Sequence, residues 1–298
     1  MYQNILVATG GSPWSDAAVA YAIAIAARTG ANLRVLTVLV NPGIYANPDV
    51  LGGTEFVVDI VEKDGQELIA RIADQAGQAG VRCETFCRWG GVPETILHTA
   101  QECSSDLIVL GSRMLSGWKR LRLGQVANAV SAKAQQPVLV VKRPPEVVPG
   151  SPLGRRLLVA TGGSPWSDMA VDYAIDLASR ERLSLCLLHV VPRRRRWGRE
   201  VDDSEGRQLL ARAEARSIHA GVATTVVLEH GDVRSMIVDT ADKQQCDAIV
   251  LGARASAGWK RMMIGDISNA VIVTTPLPVL VVKGTAQFIR LVRVANRT

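Results

Sequence analysis

Short apolar runs alternate along this chain with longer stretches in which apolar residues recur at helical spacing. In the first half the runs Ile5–Ala8, Leu33–Val40, Cys83–Cys87, Leu107–Leu110 and Val138–Val141 read as strands. Between them, helical patterns run from about Pro13 to Arg28, Glu62 to Gln78, Pro93 to Glu102 and Gln125 to Ala134. Strands that alternate with helices predict an α/β fold with a parallel, doubly wound, Rossmann-like sheet and right-handed crossovers. Ser12 ahead of Pro13 places an N-cap before a proline in the first helical turn, and Ser164 ahead of Pro165 repeats the signal.

That repetition extends through the whole chain. Ala8 to Asp16 reads ATGGSPWSD and recurs unchanged as Ala160 to Asp168, an offset of 152 (168 − 16). Asp106 to Arg120 reads DLIVLGSRMLSGWKR and Asp247 to Arg261 reads DAIVLGARASAGWKR, an offset of 141 (247 − 106). The two copies therefore differ by a net indel of eleven residues (152 − 141), which falls between Val40 and Gly65, where Asn41-Pro42-Gly43 and Asn47-Pro48 mark a loop. A repeat of this size is a domain, not a solenoid unit. The Pro- and Gly-rich stretch from Arg143 to Gly154 is the linker, so the expected units are residues 1–145 and 154–285, with 286–298 as a C-terminal extension.

Composition agrees with two helix-covered parallel sheets: hydrophobic residues are 48% and aromatics only 4% of 298 residues. No apolar run approaches the roughly 20 residues of a membrane span, and no secretory signal precedes the first strand, so a cytoplasmic protein without a membrane span is expected. The five cysteines (Cys83, Cys87, Cys103, Cys186 and Cys246) form no C-x-x-C pair and do not recur between the copies, which argues against a metal site or disulfide framework. The net charge of +6 is concentrated in Arg193, Arg194, Arg195, Arg196 and Arg199, in the shorter counterpart of the indel loop. Such a run without interleaved aromatics beyond Trp197 or a basic helix face reads as a solvated, mobile loop, and no nucleic-acid partner is expected from it.

Ligands of doubly wound sheets bind at the carboxyl ends of the strands where strand order reverses. Two loops are expected to meet there in each half. One is Thr9, Gly10, Gly11 and Ser12, with Thr161, Gly162, Gly163 and Ser164 as its copy; the other runs from Gly111 to Gly124, with Gly252 to Gly265 as its copy. Gly124 precedes a helical pattern, so free amides and a positive dipole end would face the crevice, a position suited to an anion. Arg113, Lys119 and Arg120, and Arg254 in the second copy, add positive charge to the same region. Alternatively, the glycines only close tight turns and the basic residues are solvated. The chain has no G-x4-G-K-[ST], H-E-x-x-H or G-x-S-x-G motif, and the recurring acids Asp16 with Asp168 and Asp106 with Asp247 are explained by a helix first turn and a strand start, so no catalytic or metal-binding residue is expected. Trp14, Trp118, Trp166 and Trp259 read first as packing anchors.

An ILVA strand (LLVA in the second copy) before a Gly-Ser turn, a D-x-IVLG strand end, a Gly-x-Lys-Arg loop, a glycine opening the last helix and a final PVLVV strand occur in this order in both copies. In this the chain resembles the universal stress protein family. The resemblance implies five-stranded domains of the adenine nucleotide alpha hydrolase-like kind, paired through their last strands, so that the halves form an intramolecular pseudo-dimer with pseudo-two-fold symmetry; association of two chains stays open. It also implies a choice. One branch of the family binds ATP through G-x2-G-x9-G followed by Ser or Thr, with an Asp after strand one near the adenosine, and the other branch lacks the motif.

This chain keeps Gly111 and Gly124 but has Met114 and Gln125 at the other two motif positions, and keeps Gly252 and Gly265 but has Ala255 and Asp266. Gly10 and Gly162 stand where the resemblance implies the Asp. A side chain at the second glycine hinders backbone approach to phosphate, a lost hydroxyl removes a donor, and Asp266 brings negative charge to a helix start. The expectation is a non-catalytic stress-response or regulatory protein with a degenerate crevice in each half. The alternatives are an ATP-binding protein with slow hydrolysis, or a module for another small anion that uses the Thr9 and Ser12 hydroxyls. Any nucleotide is expected in the first half.

Overall fold

The computed structural model describes residues 2–40, 54–113, 124–145, 150–192, 203–254 and 266–284. Lys119, Arg120, Gly265, Met114, Ala255, Trp118, Trp259, the arginine stretch 193–199 and residues 286–298 lie outside the described residues. The first half runs β1 (Asn4–Thr9), α1 (Pro13–Thr29), β2 (Asn32–Leu39), α2 (Thr54–Gln78), β3 (Cys83–Trp89), α3 (Val92–Glu102), β4 (Leu107–Gly111), α4 (Gln125–Lys133) and β5 (Val138–Val141). The second repeats the order with β6 (Arg156–Ala160), α5 (Pro165–Glu181), β7 (Ser184–Pro192), α6 (Ser204–His219), β8 (Thr224–Gly231), α7 (Val233–Lys243), β9 (Ala248–Arg254), α8 (Asp266–Thr274) and β10 (Val279–Gly284).

All ten strands join one sheet in the order β3-β2-β1-β4-β5-β10-β9-β6-β7-β8. Pairing is parallel within each half and antiparallel only where β5 meets β10, with Val279 opposite Val140, Leu280 opposite Leu139 and Val281 opposite Val138. The two last strands therefore meet as expected, and the palindromic strand order expresses the pseudo-two-fold relation. Period-two alternation sends Ile5 and Val7 into one core layer with α1, α2, α5 and α6, and Leu6 into the other with α3, α4, α7 and α8. Each layer contains residues of both halves, so neither half has a core of its own alone.

Strand and helix positions follow the apolar pattern to within a few residues, with one exception. α2 begins at Thr54, eight residues before the expected Glu62. The intervening Val57, Val58, Ile60 and Val61 are β-branched and weak helix formers, and the Asn and Pro residues just upstream carry the loop signal close to them. Among the described residues, no helix is long and apolar enough to cross a membrane, and no cluster of His, Cys, Asp and Glu is placed to hold a metal ion.

Candidate functional site

Strand order in the first half turns at β1, which has β2 on one side and β4 on the other, and β6 takes the same place between β7 and β9. With Ala8 opposite Leu110, the loops after β1 and β4 leave the sheet side by side. The first of them is organised by Ser15. Ser12 caps α1, its Oγ accepting from the Ser15 amide at 3.3 Å, while Ser15 Oγ accepts from the Ser12 amide at 2.9 Å and the Gly10 amide at 3.5 Å. The Gly11 amide donates to Thr9 Oγ1 at 3.3 Å, and Gly11 takes the left-handed φ of +71° that completes the turn. Gly10, Gly11 and Ser12 thus all donate to side chains of this loop or of the first turn of α1.

The second copy is built likewise. Gly162 donates to Ser167 Oγ at 3.2 Å, Gly163 to Thr161 Oγ1 at 3.5 Å, and Ser167 to Ser164 Oγ at 3.2 Å. Thr161 differs from Thr9 in one respect: its carbonyl accepts from His189 Nδ1 at 2.9 Å, and the first half has Thr37 in place of that imidazole (189 − 152). His189 was not legible as a neighbour of the crevice. Ser15 and Ser167 carried a signal, since both lie inside the unchanged nine-residue repeat.

Gly111, at the end of β4, and Gly252, two residues before the end of β9, each lie directly beneath a helix start. A methyl group on Gly111 would collide with the Trp14 carbonyl and come within 2.7 Å of the Ser15 amide, and one on Gly252 would collide with the Trp166 carbonyl and lie 2.9 Å from the Ser167 amide. These glycines let the sheet and the first helix approach, which is a packing role. Arg113 is exposed, and its guanidinium sits 4.6 Å above the ring centre of Trp14, a cation–π contact that holds it over α1. Arg254 ends β9, and nothing is described of its side chain. Ser112, buried at the end of β4, has no hydrogen-bond partner for its hydroxyl among the described residues, and Ala253 replaces it in the second half.

Gly124 stands at the N-cap of α4 with φ −51° and ψ 137°, and no side chain caps the helix. A side chain at Gly124 would meet nothing within 4 Å among the described residues. Gln125 is exposed, the first turn of α4 holds no acidic residue, and no side chain among the described residues caps its first amides, whereas α8 begins with Asp266.

The recurring aspartates do structural work away from the crevice. Asp106 Oδ2 accepts from the Gln3 amide at 2.6 Å, and Asp247 Oδ2 accepts from the amides of Arg155 at 2.7 Å and Arg156 at 2.9 Å. Each ties the entry of the fourth strand of its half to the first. Burial raises the Asp106 carboxyl above its usual range, and the amide hydrogen bonds from Gln3 and Asn4 oppose that shift.

Comparison with known proteins agrees with this geometry. The universal stress protein family model matches residues 1–142 and 154–283. A universal stress protein of Mycolicibacterium smegmatis is 27% identical over 296 residues, spanning 94% of this chain and 97% of that protein. The crystal structure of a universal stress protein from Archaeoglobus fulgidus superposes with a TM-score of 0.75 at 24% identity, covering 94% of this chain and 98% of the other, and so shares the fold. A shorter universal stress protein solved in complex with cAMP is 22% identical and covers 43% of this chain and 96% of its own, with a TM-score of 0.36. With both halves matched by the family model, this chain belongs to the universal stress protein family, as two such domains in tandem.

Proposed function

We propose that this protein is a non-catalytic regulatory member of its family, in which each half keeps the crevice of a nucleotide fold without the groups that grip and cleave a nucleotide. The observation that carries this reading is the closed loop after the first strand. The amides of Gly10, Gly11 and Ser12 donate to Ser15 and Thr9, and those of Gly162 and Gly163 donate to Ser167 and Thr161, so these donors are engaged within the loop and are not offered to a ligand in the crevice. The packing role of Gly111 and Gly252 and the structural ties of Asp106 and Asp247 support it further.

What affinity for a small anion remains belongs to the first half. The uncapped N-terminus of α4 at Gly124 and Gln125 offers amides and a positive dipole end, whereas Asp266 at the start of α8 supplies its own negative charge. The test is mass spectrometry of the purified protein for nucleotide, followed by calorimetric titration with ATP and a phosphate-release assay. One weak site per chain and no release above buffer are expected. Met114→Gly together with Gln125→Ser is expected to raise ATP affinity at least about tenfold, about 1.4 kcal/mol. Nucleotide carried through purification at one per half, with turnover, would overturn the reading.

A further inference from the structure

The sheet ends in two edges, β3 in the first half and β8 in the second, and the two are unlike. β3 carries Glu84 and Arg88, and charges within an edge strand oppose pairing with another chain. β8 is uncharged from Thr224 to Leu228, with Thr225 exposed and the others half-buried. The Leu185 amide donates to the Ala223 carbonyl, so Ala223, Thr225 and Val227 turn their backbone groups toward β7. The amides and carbonyls of Thr224, Val226 and Leu228 therefore point outward, and no strand pairs with them among the described residues. α6 lies above this edge. Gly206, Leu210, Ala213 and Ser217 are its buried face, and Arg216 marks the flank toward α5, its Nη1 2.6 Å from Asp172 Oδ1. Helical periodicity puts Arg207, Ala211, Glu214 and Ile218 on the opposite flank, overhanging β8. Arg207 and Ala211 are exposed, and Ile218 is 67% exposed, the most of any large apolar residue described. Arg207 Nη2 lies 3.8 Å from Asp203 Oδ2, and Glu214 has no ion pair among the described residues. In the first half the same four places (207 − 141, 211 − 141, 214 − 141, 218 − 141) hold Gln66, Ala70, Ala73 and Gly77, which offer neither the charges nor the isoleucine.

We propose that this edge is a self-association surface: β8 pairs antiparallel with β8 of a second copy of this chain, and the two α6 helices pack against each other above the joined sheet. A two-fold axis through Val226, perpendicular to the sheet, sets Thr224 opposite Leu228 of the second copy, so that each outward residue exchanges both backbone hydrogen bonds with its opposite. The same axis passes through the middle of α6. A Cβ added to Gly206 would come within 3.2 Å of Leu228 Cδ1, so Gly206 stands over Leu228, and Leu210, one turn further along the antiparallel helix, stands over Val226. The two helices then cross at Ala211, whose small side chain lets them close. Arg207 and Glu214 lie on either side of that crossing, so Arg207 faces Glu214 of the second copy and the surface is complementary to itself. Ile218 is covered at each end. Pairing of β8 with β3 of another copy would extend without closing and has no such match of charges.

The test is light scattering coupled to size exclusion over a dilution series of the full chain. The parent is expected to move from the mass of one chain to that of two as concentration rises, and hydrogen exchange to slow at the Thr224, Val226 and Leu228 amides over the same range. Ala211→Arg, at an exposed helix position, sets like charges against each other across the axis and is expected to weaken the dimer at least about tenfold, with the melting temperature of the dilute chain unchanged. Glu214→Arg is expected to weaken it similarly, and Arg207→Glu combined with Glu214→Arg to restore it. Thr85→Lys, at an exposed position of β3, is expected to leave it as in the parent. A parent that is monomeric at every concentration, or a dimer that Ala211→Arg and Glu214→Arg leave intact, would overturn the proposal, and so would a dimer lost with Thr85→Lys.

Discussion

Ser15 shows how one hydroxyl determines what a loop can offer a ligand. It accepts from two loop amides and donates to the Ser12 carbonyl at 2.8 Å, so the crevice wall is stiffened from within. Ser15→Ala leaves the half-buried Ser12 amide without its partner, and we expect a loss of about 1 kcal/mol in urea unfolding, with Ser167→Ala costing a similar amount. The helix ends differ more than the helix starts. Gly30 closes α1 in the left-handed region at φ 73°, whereas its counterpart Arg182 closes α5 at φ 56° with an exposed side chain. A side chain is strained there, so Arg182→Gly is expected to stabilise the protein by about 0.5–1 kcal/mol in the same assay, and a loss of stability would show that its side chain contributes more than the strain costs.

At the scale of elements, the seam between the halves is closed by two lysines at the ends of the last strands. Lys142, following β5, is buried and donates through Nζ to the carbonyls of Val273 at 2.9 Å and Thr275 at 2.7 Å, at the C-terminal end of α8 in the other half. Lys283 occupies the matching place on β10 and is 2% exposed. Burial lowers both ammonium groups from 10.5 to about 8. Below about pH 8 both the folded and the unfolded chain hold these protons, and the burial cost is felt in full. Between about pH 8 and 10.5 the unfolded chain holds protons that the folded chain has released, so these two groups make stability rise with pH across that window. Urea unfolding of the parent and of a Lys142→Met/Lys283→Met variant at several pH values from 7 to 11 is expected to show a steeper rise in the parent. Parallel profiles would mean that the lysines titrate alike in both states.

Across the whole molecule, the interface is a continuation of the core. β5 and β10 complete a single sheet, the hydroxyls of Tyr2 and Tyr173 hydrogen-bond across the halves at 2.8 Å, and Arg28 pairs with Glu181 on the other side. Because each apolar layer runs through both halves, the chain is expected to melt in one calorimetric transition, and two separate peaks would contradict that. Leu280, 2% exposed and opposite Leu139, is placed to report on this coupling. Leu280→Ala is expected to cost about 2–5 kcal/mol and to lower that single transition, while Ile218→Ala, at a position 67% exposed, changes stability by less than about 0.5 kcal/mol.

The alternation of apolar runs with helical patterns determined the order of strands and helices, because periodicity is a local property that each segment carries by itself. The duplicated ATGGSPWSD and D-x-IVLG segments likewise determined that there are two units. Weak local propensity hid only the start of α2, where the β-branched residues from Val57 to Val61 are held helical within the fold. Tertiary structure alone decided what the loop residues do. Gly111 looked like a residue for phosphate approach and proved to be the point where a helix crosses the strand end, a contact with residues almost a hundred positions away. The engagement of the Gly10 amide by Ser15 and the placement of His189 beside Thr161 have the same cause: side-chain partnerships depend on distances between elements, and periodicity does not encode those distances.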